Sequence, residues 1–439
     1  MNRSVLFGVL LITALHAFDE MVLVIALPAI SSDLGSGSWY GLIIAVYILA
    51  SIVGMTWAGQ AMDRSGPAKV VLTAAIFFTS GLLLAVVSWN TFSFMFARIL
   101  QGVGGGMGWT LSFGIISLLS DDDQKPKAVA AMDVAWIFPS LLAPLVGAVF
   151  IDYMSWRWIF AAQLLPLALA VSLVYPRIMH LRGHKNARSN FNVLINAARL
   201  ALGCGLLLYL LGTPIGWWWL GLIPSFFLMA KPLHESMPVG WARLDTPLSA
   251  CIILACLAFL VFYSVEAYQP LYLIEVRDLS TLQSGLILTC ASVCWMFGSQ
   301  MTARGWIPGN YSQRILIGFT VLSLGIGSLA LLLFTSASLL WAYPLWSVTG
   351  IGMGIAFNTA RATAMQHTQP GQEGLVAAGI SLSVSMGLAL ATGFGGAIKN
   401  QTFEAGYSLN TAITTIWLMS ICIAILSWLL LWWHHRKVV

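Results

Sequence analysis

The chain is a succession of apolar runs, most of them long enough to cross a bilayer, joined by short polar stretches. This pattern constrains the fold more than any motif does. A spanning helix needs roughly 18–20 apolar residues, and backbone groups in hydrocarbon must be hydrogen-bonded within their own segment. The runs therefore predict helices. They are too long and too continuous for barrel strands, which are short and alternate. About fourteen spans are expected, over residues 5–30, 39–62, 68–88, 91–119, 127–150, 157–175, 191–212, 215–231, 246–273, 282–303, 312–334, 338–366, 374–398 and 408–433. Of the 439 residues 59% are hydrophobic and only 8% charged, whereas a soluble domain carries about 25% charged residues. The first run passes through Asp19 and Glu20 and continues to Ile30, longer than a signal-peptide core.

Charge placement orients the chain. With the N-terminus inside, only Arg157, Arg277 and Lys399 fall in outer loops, and Arg98, Arg199 and Arg361 fall inside or near the ends of spans. The other fifteen of the 21 Lys and Arg lie in inner loops or termini. Cytoplasmic loops carry such an excess, so both termini are expected to be cytoplasmic, in the inner (plasma) membrane. The basic residues then report topology, not nucleic-acid binding. Spans seven and eight, joined by Gly212–Gly216, are the weakest; removing both keeps the parity, so charge does not separate twelve from fourteen. The loop Pro176–Asn190 is the most basic segment; it is a topology signal or a contact for anionic lipid. All six cysteines lie in apolar runs without a C-x-x-C pair, which points to small buried hydrophobes and not to a metal site. Tryptophans near span ends, among them Trp156, Trp158, Trp217, Trp218, Trp219, Trp432 and Trp433, fit interface anchors.

Polar residues inside spans are the candidate sites, since a charge at mid-bilayer costs about 2.5–3.5 kcal/mol on insertion scales. Arg98 and Gln101 are three apart and share a helix face; the alternative for Arg98 is a side chain that snorkels to the headgroups. His16 precedes Asp19 by three and Glu20 by four, so it can face either. A carboxyl balanced between burial and a nearby cation can load and release a proton. Glu20 points about 100° away and serves a cationic substrate or the structure. Asp133 and Trp136 in the fifth span suit a cationic amphipathic ligand, unless Asp133 simply faces water. Tyr263, Glu266 and Gln269 form a polar stripe in the ninth span. Asn358 and Arg361 form a shorter one in the twelfth, where Arg361 balances a buried acid or sits at the inner mouth. Gly59 and Gly66, seven apart, are echoed by Gly298 and Gly305.

Several segments carry a family likeness. The loop Gly59-Gln60-Ala61-Met62-Asp63-Arg64-Ser65-Gly66-Pro67-Ala68-Lys69 resembles the cytoplasmic loop joining the second and third helices of the major facilitator superfamily, which locks one state of alternating access; a plain topology signal is the other reading. Arg98-Ile99-Leu100-Gln101-Gly102-Val103-Gly104-Gly105-Gly106 resembles the fourth-helix motif whose arginine is linked to proton coupling. The segment from Asp19 to Ala26-Leu27-Pro28 resembles the first helix of the 14-helix drug:proton antiporter branch. So do Trp156-Arg157-Trp158-Ile159-Phe160 and Pro270-Leu271-Tyr272-Leu273. In the fifth span Pro144 and Gly147 match the antiporter pattern Gly-Pro-x-x-Gly-Gly, while Ala143 and Ala148 replace glycines, which leaves symport and uniport open.

The resemblance implies an all-α polytopic membrane protein of the major facilitator fold, with 14 transmembrane helices: a six-helix bundle over 1–175, a basic cytoplasmic loop over 176–190, two inserted helices over 191–231 and a second six-helix bundle over 246–439. It implies a proton-coupled exporter of small amphipathic or cationic compounds, or a dedicated exporter of one metabolite, lipid or siderophore. Asp19 and Arg98 would couple protons. Glu20, Asp133, Trp136, Tyr263, Glu266 and Arg361 would meet substrate. Gly59, Asp63, Arg64, Gly66, Lys69, Gln101, Gly102, Pro144 and Gly147 would gate or shape the helices. A small molecule, protons and lipid are the expected partners of a monomer. No catalytic constellation, phosphate loop or metal spacing occurs, so no enzyme activity, cofactor or metal is expected.

Overall fold

The computed structural model describes residues 3–119, 125–181, 191–213, 218–238, 240–335, 338–369 and 372–438. The Asp121–Asp123 run, Trp217 and the basic stretch 182–190 lie outside the described residues. The described residues are helical, with no strand among them: α1 (Arg3–Leu34), α2 (Tyr40–Ser65), α3 (Pro67–Val86), α4 (Thr91–Leu119), α5 (Lys125–Tyr153), α6 (Arg157–Ala162), α7 (Leu164–Ile178), α8 (Phe191–Gly212), α9 (Trp218–Ser236), α10 (Pro247–Glu266), α11 (Gln269–Glu275), α12 (Thr281–Ala303), α13 (Tyr311–Leu331), α14 (Ala342–Gln366), α15 (Glu373–Glu404) and α16 (Leu409–Val438).

Thirteen stretches are long and apolar enough to cross a membrane, with α6–α7 and α10–α11 each counted as one. The thirteen do not include α9, the described part of the eighth expected span (215–231): past Lys231 the helix continues through Pro232, His234 and Glu235, and residues 214–217 lie outside the described residues.

The chain divides into two compact units, Met1–Gly205 and Leu206–Val439. In the first, α4 packs against α2 and α3, while α1 lies along α5 and α7. Glycines set these distances. A Cβ at Gly102 would strike the Tyr47 carbonyl oxygen, and one at Gly106 the Ser51 carbonyl. Small residues let membrane helices approach until their backbones touch. In the second unit, α14 packs against α12 and α13, and α10 against α15. A Cβ at Gly350 would strike the Ala291 carbonyl, and one at Gly354 the Trp295 carbonyl. The two units thus repeat one scheme: glycines four apart on a central helix, each seated on a carbonyl of its neighbour.

The glycine echo seen in the sequence is half right. Gly66 (φ +85°) and Gly305 (φ +71°) both close a helix in the left-handed region, where an L side chain is strained. Gly59 has nothing within 4 Å of a Cβ position, whereas Gly298 sits against the Ile351 carbonyl. The counterpart of Gly298 is Gly54, seated on the Val103 carbonyl.

Candidate functional site

A charged pair lies in the interior of the first unit. Asp19 on α1 and Arg98 on α4 are both fully buried, although 79 residues separate them. Arg98 Nη1 donates to Asp19 Oδ2 at 2.6 Å and to Gln101 Oε1 at 2.6 Å. Gln163, at the junction of α6 and α7, donates from Nε2 to Asp19 Oδ1 at 3.2 Å. The guanidinium carbon lies 4.2 Å from the centre of the Tyr47 ring. Removing two charges from water costs several kcal/mol per ion unless good geometry and further hydrogen bonds offset it. Here both carboxylate oxygens accept a bond, and the arginine rests on a π face.

Next to the pair is an aromatic surface. Tyr47 Oη is 2.6 Å from His16 Nδ1, with the two rings stacked. The imidazole is 6.0 Å from the Trp136 ring, edge to face, and 6.0 Å from Trp109. Trp109 and Trp136 meet edge to face at 5.6 Å. Trp136 is only half-buried, and its Nε1 has no hydrogen-bond partner among the described residues. Glu20, one turn on from His16, is half-buried.

At the other end of α1, half-exposed Asp33 accepts from Arg157 Nη1 at 2.7 Å and from Trp156 Nε1 at 3.0 Å. Arg157 also donates to the Ser88 carbonyl at 2.9 Å. This clamp ties α1, the α3–α4 turn and α6 together.

The sequence candidates therefore separate. Asp19, Arg98 and Gln101 converge, and Gly102 supplies the close approach of α4 to α2. Pro144 and Gly147 are buried, and a Cβ at Gly147 would lie 3.2 Å from Val22 on α1. Asp63, Arg64 and Lys69 are exposed around the α2–α3 turn. Tyr263 and Glu266 belong to the second unit, where both are half-buried and Tyr263 stacks on Phe259 at 5.4 Å. Arg361 is exposed on α14. The Asp133 side chain lies outside the described residues. Tyr47, Trp109 and Gln163 had no signal in the sequence beyond being polar-edged residues in apolar runs. Among the described residues no group of three or more His, Cys, Asp or Glu could hold a metal ion.

Comparison with known proteins agrees with this architecture. Residues 9–392 match the model of the Major Facilitator Superfamily. Multidrug resistance protein 3 of Bacillus subtilis is 24% identical over 413 residues, covering 92% of this chain and 80% of that protein. The multidrug efflux pump SdrM of Staphylococcus aureus is 23% identical over 433 residues, covering 95% of each. Among solved structures, a D-xylose-proton symporter superposes with a TM-score of 0.70 at 16% identity, covering 98% of this chain and 97% of that one. The POT family transporter PepTSo gives 0.71 at 13% identity, covering 98% of each. With a family match over most of its length and a bundle of spanning helices, the chain belongs to the Major Facilitator Superfamily and is a multi-pass membrane transporter.

Proposed function

We propose that this transporter is a proton-coupled antiporter of the plasma (inner) membrane, with both termini cytoplasmic, that exports small amphipathic or cationic compounds. The observation that carries this reading is the fully buried Asp19–Arg98 pair, and the multidrug relatives support the class of cargo. Ionisable side chains inside membrane spans are expensive, and function is the default explanation for them. Taking a proton onto Asp19 removes one partner and leaves a buried guanidinium uncompensated, at a cost of about 3–5 kcal/mol. On this reading the cost falls on the state with the pair closed and not on one in which the two side chains part, and a difference in proton affinity between access states is what biasing one over the other requires. Substrate binding biases the opposite state.

In this reading Glu20 and Trp136 meet a cationic or aromatic substrate, as do Tyr263, Glu266, Asp133 and Arg361 in other parts of the path. The segment from Gly59 to Lys69, expected as a loop but formed by the end of α2, the single turn residue Gly66 and the start of α3, gates the inner face with Asp63 and Arg64. Flux measured in proteoliposomes with and without an imposed pH gradient tests the coupling: uphill transport driven by the gradient is expected, and gradient-independent flux contradicts it. Drug-susceptibility profiling in a pump-deficient host tests the cargo. Broad resistance is the expected result; none points to a dedicated exporter.

A further inference from the structure

Between the aromatic surface and the charged pair stand two side chains that the proton step itself does not use. Tyr47 faces both ways: its ring lies under the Arg98 guanidinium at 4.2 Å, and its Oη is 2.6 Å from His16 Nδ1. His16 in turn contacts both Trp109 and Trp136. Both residues are buried, so neither is a wall of open solvent. The hydrogen bond also has room made for it. A Cβ at Gly105 would fall 2.7 Å from Tyr47 Oη and 2.8 Å from His16 Nδ1, closer than ordinary packing allows. A glycine on α4 thus leaves space for this one contact between α1 and α2.

We infer that His16 and Tyr47 are positioning residues that tie the Trp109–Trp136 surface to the Arg98–Asp19 pair, so that an aromatic cation seated on that surface shifts Arg98 from the Tyr47 ring onto Asp19. Displacing the imidazole breaks the bond that orients the Tyr47 ring. The guanidinium then loses its π partner and depends more heavily on the Asp19 carboxylate, which makes a protonated Asp19 costlier and drives its proton off. This rests on the reading of Asp19 as the proton carrier, and it assigns the coupling to a short chain of ring contacts and one hydrogen bond instead of direct contact between substrate and carboxylate.

The test measures protons released per cation bound. Purified full-length protein in weakly buffered detergent solution is titrated with tetraphenylphosphonium; a pH dye reads release and equilibrium dialysis reads binding. Wild type is expected to release protons on binding. Tyr47→Phe, which removes one oxygen and keeps the ring, is expected to lose more than half of the release per bound cation. Gly105→Ala and His16→Ala are expected to do the same. His16→Asn, which restores a hydrogen-bonding atom near the Nδ1 position, is expected to recover more than half of the wild-type release. Undiminished release in Tyr47→Phe overturns the inference even if His16→Ala does not fold. So does a silent His16→Asn beside a normal Tyr47→Phe, since the proton would then reside on the imidazole. Release that survives Asp19→Asn overturns instead the assignment of Asp19 as carrier, and its absence in wild type overturns the antiport reading.

Discussion

Arg98 in the first unit and Trp346 in the second occupy the same place in two copies of one packing scheme. Each lies four residues before a glycine seated on a neighbouring carbonyl, Gly102 on Tyr47 and Gly350 on Ala291. Both are fully buried. Yet Arg98 pairs with Asp19 on α1, whereas Trp346 stacks on Phe262 of α10 at 5.0 Å, inclined by 19°. The glycines build the scaffold in both units, and one position decides whether its interior is ionic or aromatic. Trp346 is part of a wider aromatic group with Phe259, Phe262, Trp295 and Phe357. Ionic chemistry in the first unit and ring packing in the second are therefore alternatives that the same helix geometry accepts.

The difference can be broken at its ends. Arg98→Leu leaves Asp19 buried and alone, so it is expected to abolish gradient-driven flux and to cost about 3–5 kcal/mol in thermal unfolding. The double variant Asp19→Leu/Arg98→Leu is expected to regain most of that stability, because removing both charges is close to neutral, without regaining coupling. Trp346→Phe, at the equivalent place, is expected to cost only about 1 kcal/mol and to leave the flux coupled. If the double variant stayed as unstable as the single, the pair would not be the source of the cost.

Overpacking sharpens the shared scheme. Gly102→Val and Gly350→Val each drive a side chain into a backbone carbonyl, and comparable losses of about 1–3 kcal/mol or more are expected in both. A loss in one alone would show that the units are not built alike. A smaller, kinetic effect is expected at the exposed turn. Asp63→Asn should slow turnover by up to about tenfold, roughly 1.4 kcal/mol on the barrier, while substrate affinity stays nearly constant; a large loss of affinity would rule out a gating role. Asp33→Asn should matter least. Its partner Arg157 is partly solvent-exposed, and exposed pairs contribute about 0.2–1 kcal/mol. A larger drop in unfolding temperature would show that the clamp holds α1 in place.

The helices were legible in the sequence because the bilayer sets their length and forbids irregular backbone. Arg98 and Asp19 stood out individually, since a charge in an apolar run is costly. Their partnership did not, because it depends on how α1 crosses α4 and no local period encodes that. Gln163 and Tyr47 were invisible for a related reason: a Gln at a helix junction and a Tyr in an apolar run are ordinary until a neighbour 144 or 31 residues away is known. The eighth span was expected to end at 231, but α9 continues to Ser236 through Pro232, His234 and Glu235, because a helix can outrun the apolar stretch that marks it. The glycine echo was noticed by its spacing and misassigned, because spacing does not say which glycine touches a carbonyl.

The central claim is that protonation of Asp19 drives the transport cycle. Its most direct test is Asp19→Asn in proteoliposomes, read by two fluxes in one preparation: uphill accumulation of substrate under an imposed pH gradient, and substrate-for-substrate exchange without one. Asn cannot titrate but keeps the size of the side chain, so the expected result is exchange that persists while gradient-driven accumulation falls to background. Accumulation equal to wild type would contradict the claim.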